Sequence, residues 1–213
     1  MESRFKPCPR RRSTKKLVVE ATKLGPLARR ALRAVFVPEE RLGHAAVGDM
    51  NLVENSFLTS PDNTTFCRRG IIDWPAVELF ARSIAEQFDV RTTGVDALAT
   101  SLSGGNLQKF IVGREILQKP GVLVVSQPTW GVDAGAAADI HRAIRELTNR
   151  GSAVLIISQD LDEILTLCDR VAVISQGTLS AAQQVTNVTP EQIGLLMGTR
   201  HISSPAEATH AAT

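Results

Sequence analysis

The stretch 122-VLVVSQPTWGVDAGA-136 indicates the fold class of this chain. Four consecutive apolar residues, Val122 to Val125, are typical of a strand that is buried on both faces, as in a parallel sheet. The strand stops at the polar pair Ser126 and Gln127, and a loop with Pro and Gly follows. The ends of such strands commonly hold catalytic groups in α/β proteins. Because neither Ser126 nor Gln127 carries a charge, the stretch alone leaves open whether a catalytic site lies here or only the frame of one.

Apolar strands and amphipathic helices alternate along most of the chain. Besides 122–125, the pattern predicts strands at 34–37, 153–158 and 170–175. It predicts helices at 50–58, 73–90, 102–118, 136–150, 160–168 and 189–198. Such alternation indicates an α/β fold, in which helices cover both faces of a parallel sheet. Residues 39–101 are rich in helix and loop, and they are typical of a small inserted subdomain.

The composition is that of a globular protein in which charge is unevenly distributed. Of the 213 residues, 43% are hydrophobic, and the formal net charge is +2. Residues 1–16 contain seven basic side chains and one acidic one. Aromatic residues, on which single-stranded nucleic acids stack, do not interleave these charges. We therefore expect a disordered basic arm over residues 1–28, and binding to nucleic acid or to an anionic membrane is the less favoured interpretation.

The cysteine, histidine and hydropathy patterns argue against several classes of protein. The three cysteines are far apart and form no C-x-x-C pair, which argues against a disulfide framework and against a zinc site. The four histidines show no metal-ligand spacing. No apolar run approaches the roughly 20 residues of a membrane span. We therefore expect no metal site, no direct insertion into a membrane and a cytoplasmic location.

Residues 101–109, SLSGGNLQK, contain the strongest candidate for a binding site. Ser103, Gly104 and Gly105 stand where a helix is predicted to begin. Backbone N–H groups are free at such a position, and the helix dipole favours negative charge there. Glycine lets the main chain approach an anion closely, and the serine hydroxyl adds a donor. An ordinary helix cap has the same pattern, so the motif alone leaves both interpretations open.

The order and spacing of the motifs resemble the ATP-binding subunits of ABC transporters. LSGGNLQK at 102–109 is similar to their signature motif, and GVDAGA at 131–136 is similar to their D-loop. FVPEERLG at 36–43 resembles their Q-loop region, MNLVENSFL at 50–58 the start of their helical subdomain, and 156–177 their switch region. More narrowly, the chain resembles the second nucleotide-binding half of the tandem ATPases of simple-sugar and nucleoside importers, from residue 29 to about 198.

The resemblance implies a partial nucleotide-binding domain with an incomplete, P-loop NTPase-like parallel sheet. The helical subdomain would occupy about 39–118 and the α/β part about 119–198, followed by a frayed tail over 199–213. The Walker A loop, G-x-x-x-x-G-K-[ST], wraps the phosphates of ATP with its backbone N–H groups. The sequence does not contain it, since none of its lysines follows a glycine.

The hydrolytic groups of the family are also replaced. Ser126 stands at the position of the aspartate that arranges Mg²⁺, and Gln127 at that of the glutamate that polarises the attacking water. Gln159 stands at the switch position, which is often histidine, and Trp130 stands where arginine is usual. Glutamine cannot accept a proton, and loss of a general base typically removes about 10²–10⁴-fold in rate. We therefore expect no ATP hydrolysis by this chain alone.

The motif that is retained would act across an interface. Nucleotide-binding domains of this family pair head to tail, so that the signature of one closes on the ATP and Mg²⁺ held by the other. The resemblance thus implies that Ser103–Asn106 and Asp133 contact ATP held by another nucleotide-binding domain. It also implies transmembrane permease subunits as partners, and a peripheral position at the inner face of the cell membrane. Asn51–Leu58 would face a permease subunit, although core packing is an equally good interpretation of that segment.

Other interpretations of the function stay open. In one, the chain is an ATPase module completed by a separate subunit, which an adjacent reading frame with a Walker A loop would favour. In another, it is a non-enzymatic interaction or regulatory fragment whose basic arm binds anionic partners, and this would give a strong salt dependence. In a third, it is a gene remnant without function, because residues 1–28 do not share the resemblance.

Overall fold

Short strands and helices alternate through the part of the chain that the computed structural model describes, residues 23–60 and 65–198. The helices are α1 (Pro26–Ala31), α2 (Leu52–Leu58), α3 (Trp74–Gln87), α4 (Gly104–Leu117), α5 (Ala134–Asn149), α6 (Leu161–Leu167) and α7 (Pro190–Gly198). The strands are β1 (Ala34–Val37), β2 (Cys67–Arg68), β3 (Ile71–Ile72), β4 (Val122–Ser126), β5 (Ala153–Ile157), β6 (Arg170–Val171), β7 (Ile174–Ser175), β8 (Thr178–Leu179) and β9 (Gln183–Gln184). Most of the predicted basic arm and the tail 199–213 lie outside the described residues, and α1 begins inside the range assigned to the arm.

Strands β1, β4 and β5 form the parallel sheet that the sequence predicts, in the order β1-β4-β5. The register places Val37 beside Val125, and Ser126 beside Ile157. Val37, Val125 and the neighbouring Leu123 are fully buried. The predicted α/β class with a parallel sheet is therefore confirmed, and the sheet ends where Ser126 leads into the polar loop.

Polar side chains begin α2, α3 and α4, and those of α3 and α4 stand at the positions that the sequence predicts. Asp73 accepts a hydrogen bond from the Ala76 backbone at the start of α3, and Ser103 caps α4 through its hydroxyl oxygen. Asn51 and Glu54 form a reciprocal capping box at the start of α2. These caps satisfy backbone N–H groups that have no partner within the helix. The cap at Ser103 fixes where the signature motif emerges from the core.

Helix α4 joins the helical subdomain to the sheet. Its residues Leu107 to Ile116 are all buried, in an unbroken run. The helix packs against α3 on the side of the subdomain, and against β1 and α5 on the side of the sheet. A helix that is covered all round belongs to the interior of a fold rather than to its surface. The position of the signature motif is therefore set by packing on both sides of α4.

A buried ionic network connects α4 to the elements around it. The Arg114 guanidinium donates to the carbonyl oxygens of Ala45 at 2.8 Å and Asn55 at 3.0 Å, and to Glu115 Oε1 at 3.0 Å. The other oxygen of Glu115 accepts from Arg30 Nη1 of α1 at 3.1 Å. Burial lowers the pKa of Arg114, and the Glu115 carboxylate opposes this shift. The network ties α1, α2 and α4 together at one point.

The prediction of a strand at 170–175 that continues the parallel sheet is wrong. This segment divides into β6, which pairs antiparallel with β9, and β7, which pairs antiparallel with β8. Gln176 and Gly177 both have positive φ, 48° and 77°, as a two-residue hairpin turn requires. Because this turn reverses the chain directly after β7, the strand pairs with its sequence neighbour instead of with the sheet.

One face of the sheet is only partly covered within the described residues. Phe36, Leu155 and Ile157 are 50%, 57% and 47% exposed, respectively. The register sets Phe36 and Leu155 on either side of Val124, so these side chains lie on the same face. An apolar face of this kind favours association with other apolar surfaces.

We predict that arginine at position 114 is required for stability. Arg114→Met leaves the Ala45 and Asn55 carbonyl groups without their donor and Glu115 with one fewer cation, and breaking a buried pair costs about 3–5 kcal/mol. Arg142→Met, which removes an exposed pair with Asp139, should lower the free energy of unfolding by less than about 1 kcal/mol. Urea unfolding of the full chain measures both. Equal losses in the two variants would contradict the assigned role of the network.

We also predict that the partly covered sheet face makes the chain associate. Leu155→Thr combined with Ile157→Thr should shift sedimentation toward monomer, because the two substitutions reduce the exposed apolar surface. Leu79→Thr, at an exposed leucine on α3, is the matched control and should leave the sedimentation profile unchanged. A monodisperse monomer of the unaltered chain across the concentration range would show that the face does not drive association.

Candidate functional site

A cleft of about 370 Å³ brings most of the predicted binding residues together. The start of α4 contributes Ser103, Gly105 and Asn106, and the start of α5 contributes Asp133. Asp89 and Arg91, in the loop after α3, close one side, together with Lys109. Gly104 is the one predicted binding residue that does not line the cleft. The signature motif and the D-loop aspartate thus share one concave surface, although 27 positions separate Asn106 from Asp133 in the sequence.

The hydroxyl of Ser103 is held by Asn106. Its Oγ accepts from Asn106 Nδ2 at 2.9 Å and from the Asn106 backbone N–H at 3.4 Å. The oxygen of the same asparagine side chain accepts from the Arg91 backbone N–H at 2.9 Å. The first intrahelical hydrogen bond runs from the Leu107 N–H to the Ser103 carbonyl oxygen. The N–H groups of Gly104 and Gly105 belong to the helix turn that offers free donors.

Arg41 explains the glycine at position 104. A Cβ atom at Gly104 would lie 2.7 Å from Arg41 Nη1, so a larger residue would displace this side chain. Arg41 Nε donates to Gln108 Oε1 at 3.0 Å, and its Nη2 donates to the Trp130 carbonyl oxygen. Partial burial lowers the pKa of Arg41. The sequence assigns Gly104 to phosphate approach, which stays a prediction, and in the structure Gly104 makes room for the Arg41 side chain between α4 and the D-loop.

Asp133 is the N-cap of α5. Its carboxylate accepts from the Ala136 backbone N–H at 3.0 Å. Hydrogen bonds from the Ala136 backbone and then the Gly135 backbone hold the pKa of Asp133 below its ordinary value. The side chain is therefore ionised at neutral pH and lies at the rim of the cleft beside the signature motif.

The other charges of the cleft are largely paired with one another. Asp89 Oδ2 lies 3.4 Å from Lys109 Nζ and 4.0 Å from Arg91 Nε. Asp139 pairs with Arg142 at 2.7 Å. The Arg91 side chain is 83% exposed and keeps most of its donors available to solvent. These pairs offset the carboxylates of Asp89 and Asp139, and the donors that the cleft offers come from Ser103, from Arg91 and from the backbone at the start of α4.

The positions predicted to be degenerate also lie together. Gln127 is buried at the end of β4, with a positive φ of 50°, and its N–H donates to the Ile157 carbonyl oxygen at 2.7 Å. Its Oε1 lies 3.5 Å from Ser158 Oγ and from the Gln159 backbone nitrogen. Ser126, Gln127 and Gln159 therefore occupy one corner at the end of the sheet, as the motif order predicts. None of the three provides a carboxylate or an imidazole.

A buried carboxylate next to this corner was not found from the sequence. Glu163, on α6, accepts from Thr129 Oγ1 at 2.8 Å and lies 3.0 Å from His141 Nε2. Glu163 thereby links helix α6 to helix α5 and to the loop that precedes the D-loop. Thr129 and Glu163 belong to the segments 128-PTW-130 and 160-DLDE-163. No pattern in the sequence indicates that these two segments meet at the Glu163 side chain. The same is true of Arg41 and Gln108.

The segment Asn51–Leu58 is mostly interior. Leu52, Val53, Asn55 and Ser56 are buried, and Leu58 is exposed. Core packing accounts for most of this segment, and a contact between Leu58 and a permease subunit stays a prediction. Within residues 23–60 and 65–198, none of the helices has the length and apolar content that a membrane crossing requires.

Comparisons with known proteins agree with the motifs. The chain is 41% identical over 161 residues to the nucleoside import ATP-binding protein NupA of Lactococcus lactis subsp. cremoris, covering 76% of this chain and 32% of the relative. It is 37% identical over 166 residues to the ribose import ATP-binding protein RbsA 2 of Streptomyces coelicolor, covering 78% of this chain and 32% of the relative. The chain thus spans about a third of the length of the curated relatives it matches. No family model matches the sequence.

The fold agrees with the sequence relatives. The dimeric, post-hydrolysis ATP-binding cassette MJ0796, bound to ADP and Pi, superimposes with a TM-score of 0.60 at 17% identity. The match covers 71% of this chain and 62% of the cassette. The chain belongs to the ABC transporter ATP-binding family. Its three-stranded sheet, α4 and α5 are parts of an ABC cassette fold of the P-loop NTPase type, as the sequence predicts.

The chemistry of the side chains shows whether the described residues could bind the Mg²⁺ or the phosphate groups of an ATP–Mg²⁺ complex. Magnesium prefers carboxylate and water oxygens, and Ser126 and Gln127 provide no carboxylate. Within the described residues, no group of three or more His, Cys, Asp and Glu side chains is arranged to hold a metal ion. The corner at the end of β4 therefore does not fit Mg²⁺. The cleft at the start of α4, by contrast, presents N–H and O–H donors that fit the oxygens of a phosphate group.

We predict that restoring the acidic residues does not create an ATPase. Ser126→Asp combined with Gln127→Glu puts back both carboxylates, but the sequence has no Walker A loop to hold the phosphates near them. Phosphate release from Mg-ATP by the full-length double variant should match the background of the unaltered chain. Turnover clearly above that background would show that another part of the chain holds the nucleotide.

Proposed function

We propose that this chain is a partial nucleotide-binding domain of an ABC importer and contributes its signature motif to ATP held by another nucleotide-binding domain. The shared cleft of Ser103, Gly105, Asn106 and Asp133 carries the proposal. It groups hydrogen-bond donors at the start of a long helix, in a chain that belongs to this ATPase family. The corner at the end of the sheet, here called the hydrolytic corner, provides no acid or base group, because Ser126, Gln127 and Gln159 stand at the positions of those groups.

The proposed mechanism uses only what these residues can do. The N–H group of Gly105 and the hydroxyl of Ser103 donate to phosphate oxygens, and the dipole of α4 adds a favourable potential. Asp133 stays ionised through its backbone hydrogen bonds and fixes the start of α5 at the rim of the cleft. Closing the cleft on a nucleotide excludes water and strengthens these hydrogen bonds. ATP supplies the phosphate group, and the partner domain supplies the Walker A loop and the residues that hold Mg²⁺.

The names of the relatives support a proposal for the class of solute. NupA is a nucleoside importer subunit and RbsA 2 a ribose importer subunit by their names. We therefore propose simple sugars or nucleosides as the transported class, with transmembrane permease subunits as further partners. In such an assembly the chain lies in the cytoplasm, at the inner face of the membrane.

An ATP titration tests the proposal directly. The full chain is mixed with an ATP-binding cassette of the same organism that carries an intact Walker A loop, and binding of a fluorescent ATP analogue is measured. The chain alone should show no binding in the micromolar range. The mixture should bind the analogue about 10-fold more tightly than the cassette alone, since charge-assisted hydrogen bonds contribute about 1.5–3 kcal/mol each. Micromolar binding by the lone chain, or no gain in the mixture, would contradict the proposal.

Gly105→Ala separates the fold from the binding. A Cβ atom at Gly105 would make only ordinary contacts, 3.5 Å from the Gly131 carbonyl oxygen, and alanine favours the helix by about 1 kcal/mol over glycine. The variant should therefore fold at least as stably as the unaltered chain. Because its methyl group stands at the cleft, the gain in ATP affinity of the mixture should disappear. Gly94→Ala, where a Cβ meets nothing within 4 Å, is the matched control and should preserve the gain.

A further inference from the structure

The side chain of Asn106 has only one orientation that fits its neighbours. One end of its amide faces the Arg91 backbone nitrogen at 2.9 Å, and the other end faces Ser103 Oγ at 2.9 Å. A backbone N–H can donate but cannot accept. The amide oxygen must therefore face Arg91, and the amide nitrogen must face Ser103. This assignment follows from hydrogen-bond chemistry rather than from the positions of hydrogen atoms.

The orientation of Asn106 determines what the Ser103 hydroxyl can do. A hydroxyl has one donor and two acceptor lone pairs. Two N–H groups approach Ser103 Oγ, from Asn106 Nδ2 at 2.9 Å and from the Asn106 backbone at 3.4 Å. Both lone pairs are thereby engaged, and the amide oxygen of Asn106 is committed to Arg91. The O–H of Ser103 is then left to donate outward, on the exposed side of the helix start that lines the cleft.

We infer that Asn106 is a positioning residue that makes the Ser103 hydroxyl an obligatory donor toward the cleft. The inference rests on the proposed function for its ligand, a phosphate group of ATP. An ionised phosphate oxygen is an acceptor only, so it matches a hydroxyl that can only donate. A ligand group that must donate finds no free lone pair at Ser103. Asn106 thus selects for an acceptor without contacting the ligand through its own amide.

Asn106 also holds the backbone of a neighbouring cationic residue. Its amide oxygen holds the backbone of Arg91, whose side chain is 83% exposed beside the same cleft. One side chain therefore sets the direction of the Ser103 donor and the position of the Arg91 backbone. An aspartate at this position could still accept from the Arg91 N–H, but its second oxygen would accept from Ser103 as well. The hydroxyl would then turn inward, away from the cleft.

The first test reads the direction of the hydroxyl in the full chain alone. In Asn106→Asp, the introduced carboxylate is titrated by ¹³C NMR, with and without Ser103→Ala. An O–H that donates to a carboxylate favours its charged form and lowers its pKa. We expect the pKa of the introduced carboxylate to be lower when Ser103 is present, by about half a unit or more. An equal pKa in the two backgrounds would overturn the inference, because the hydroxyl would not respond to the side chain at position 106.

The second test is a double-mutant cycle on the affinity for the fluorescent ATP analogue, measured with the mixture of this chain and the intact ATP-binding cassette. Asn106→Asp should remove most of the roughly 10-fold gain in ATP affinity when Ser103 is present, since it removes a charge-assisted hydrogen bond and adds a charge. In the Ser103→Ala background, only the effect of the added charge persists, and the loss should be clearly smaller. Equal losses in both backgrounds would overturn the positioning role. If the unaltered chain gives no gain in ATP affinity, the proposed function fails, and the carboxylate titration alone decides whether Asn106 directs the hydroxyl.

Discussion

The burial of Arg114 is the constraint on which the rest of the structure depends. A guanidinium without access to water must have its donors matched by acceptors, and three separate parts of the chain supply them. Ala45 comes from the loop before α2, Asn55 from α2 itself and Glu115 from the next position of α4. Because Glu115 in turn accepts from Arg30, helix α1 is drawn to the same point. Helix α4 is thus the common axis of the structure, because both helix α3 and the sheet pack against it.

The axis explains how the donors at the start of α4 can be maintained whatever side chains stand at the end of β4. The signature motif stands at the first turn of α4, and its donors are backbone N–H groups and a capping hydroxyl that the helix itself provides. The packing that holds α4 also maintains these donors. The hydrolytic corner depends instead on the side chains that β4 and the switch region present, and neutral side chains there leave the strand pairing intact. The backbone donors at the start of α4 are therefore kept as long as the fold is kept, whereas the side chains at the end of β4 can change without loss of the fold.

The sequence predicts the frame of the fold well and its cross-connections poorly. Strands such as 34–37 and 122–125, and helix starts at Ser103 and Asp73, follow from apolar runs and from caps, which are local signals. The segment 170–175 was assigned to the parallel sheet because it is apolar, but the turn at Gln176 and Gly177 makes a local hairpin more favourable. The short β2–β3 hairpin, with only two residues in each strand, was missed because it is too short for a periodic pattern.

The candidate site shows the same division. The motifs single out Ser103, Asn106 and Asp133, and the structure brings these residues to one cleft. Sequence reasoning could not predict that Asn106 bridges Ser103 and Arg91, or that Glu163 joins Thr129 to His141. Such contacts depend on side-chain geometry between segments that are distant in the chain. They are properties of packing and have no counterpart in spacing or composition.

Arg41 has a mechanical consequence for the chain. It bridges Gln108 of α4 and the carbonyl group of Trp130, and Gln108 also donates to the Pro128 carbonyl oxygen at 2.9 Å. The first turns of α4 and the loop before the D-loop therefore move as one body unless these hydrogen bonds break. A force that pulls on the start of α4 reaches Pro128 and Trp130 without passing through the sheet. Because Gln108 also donates to the Gln127 carbonyl oxygen, a displacement at the start of α4 reaches the corner where Gln127 and Gln159 meet.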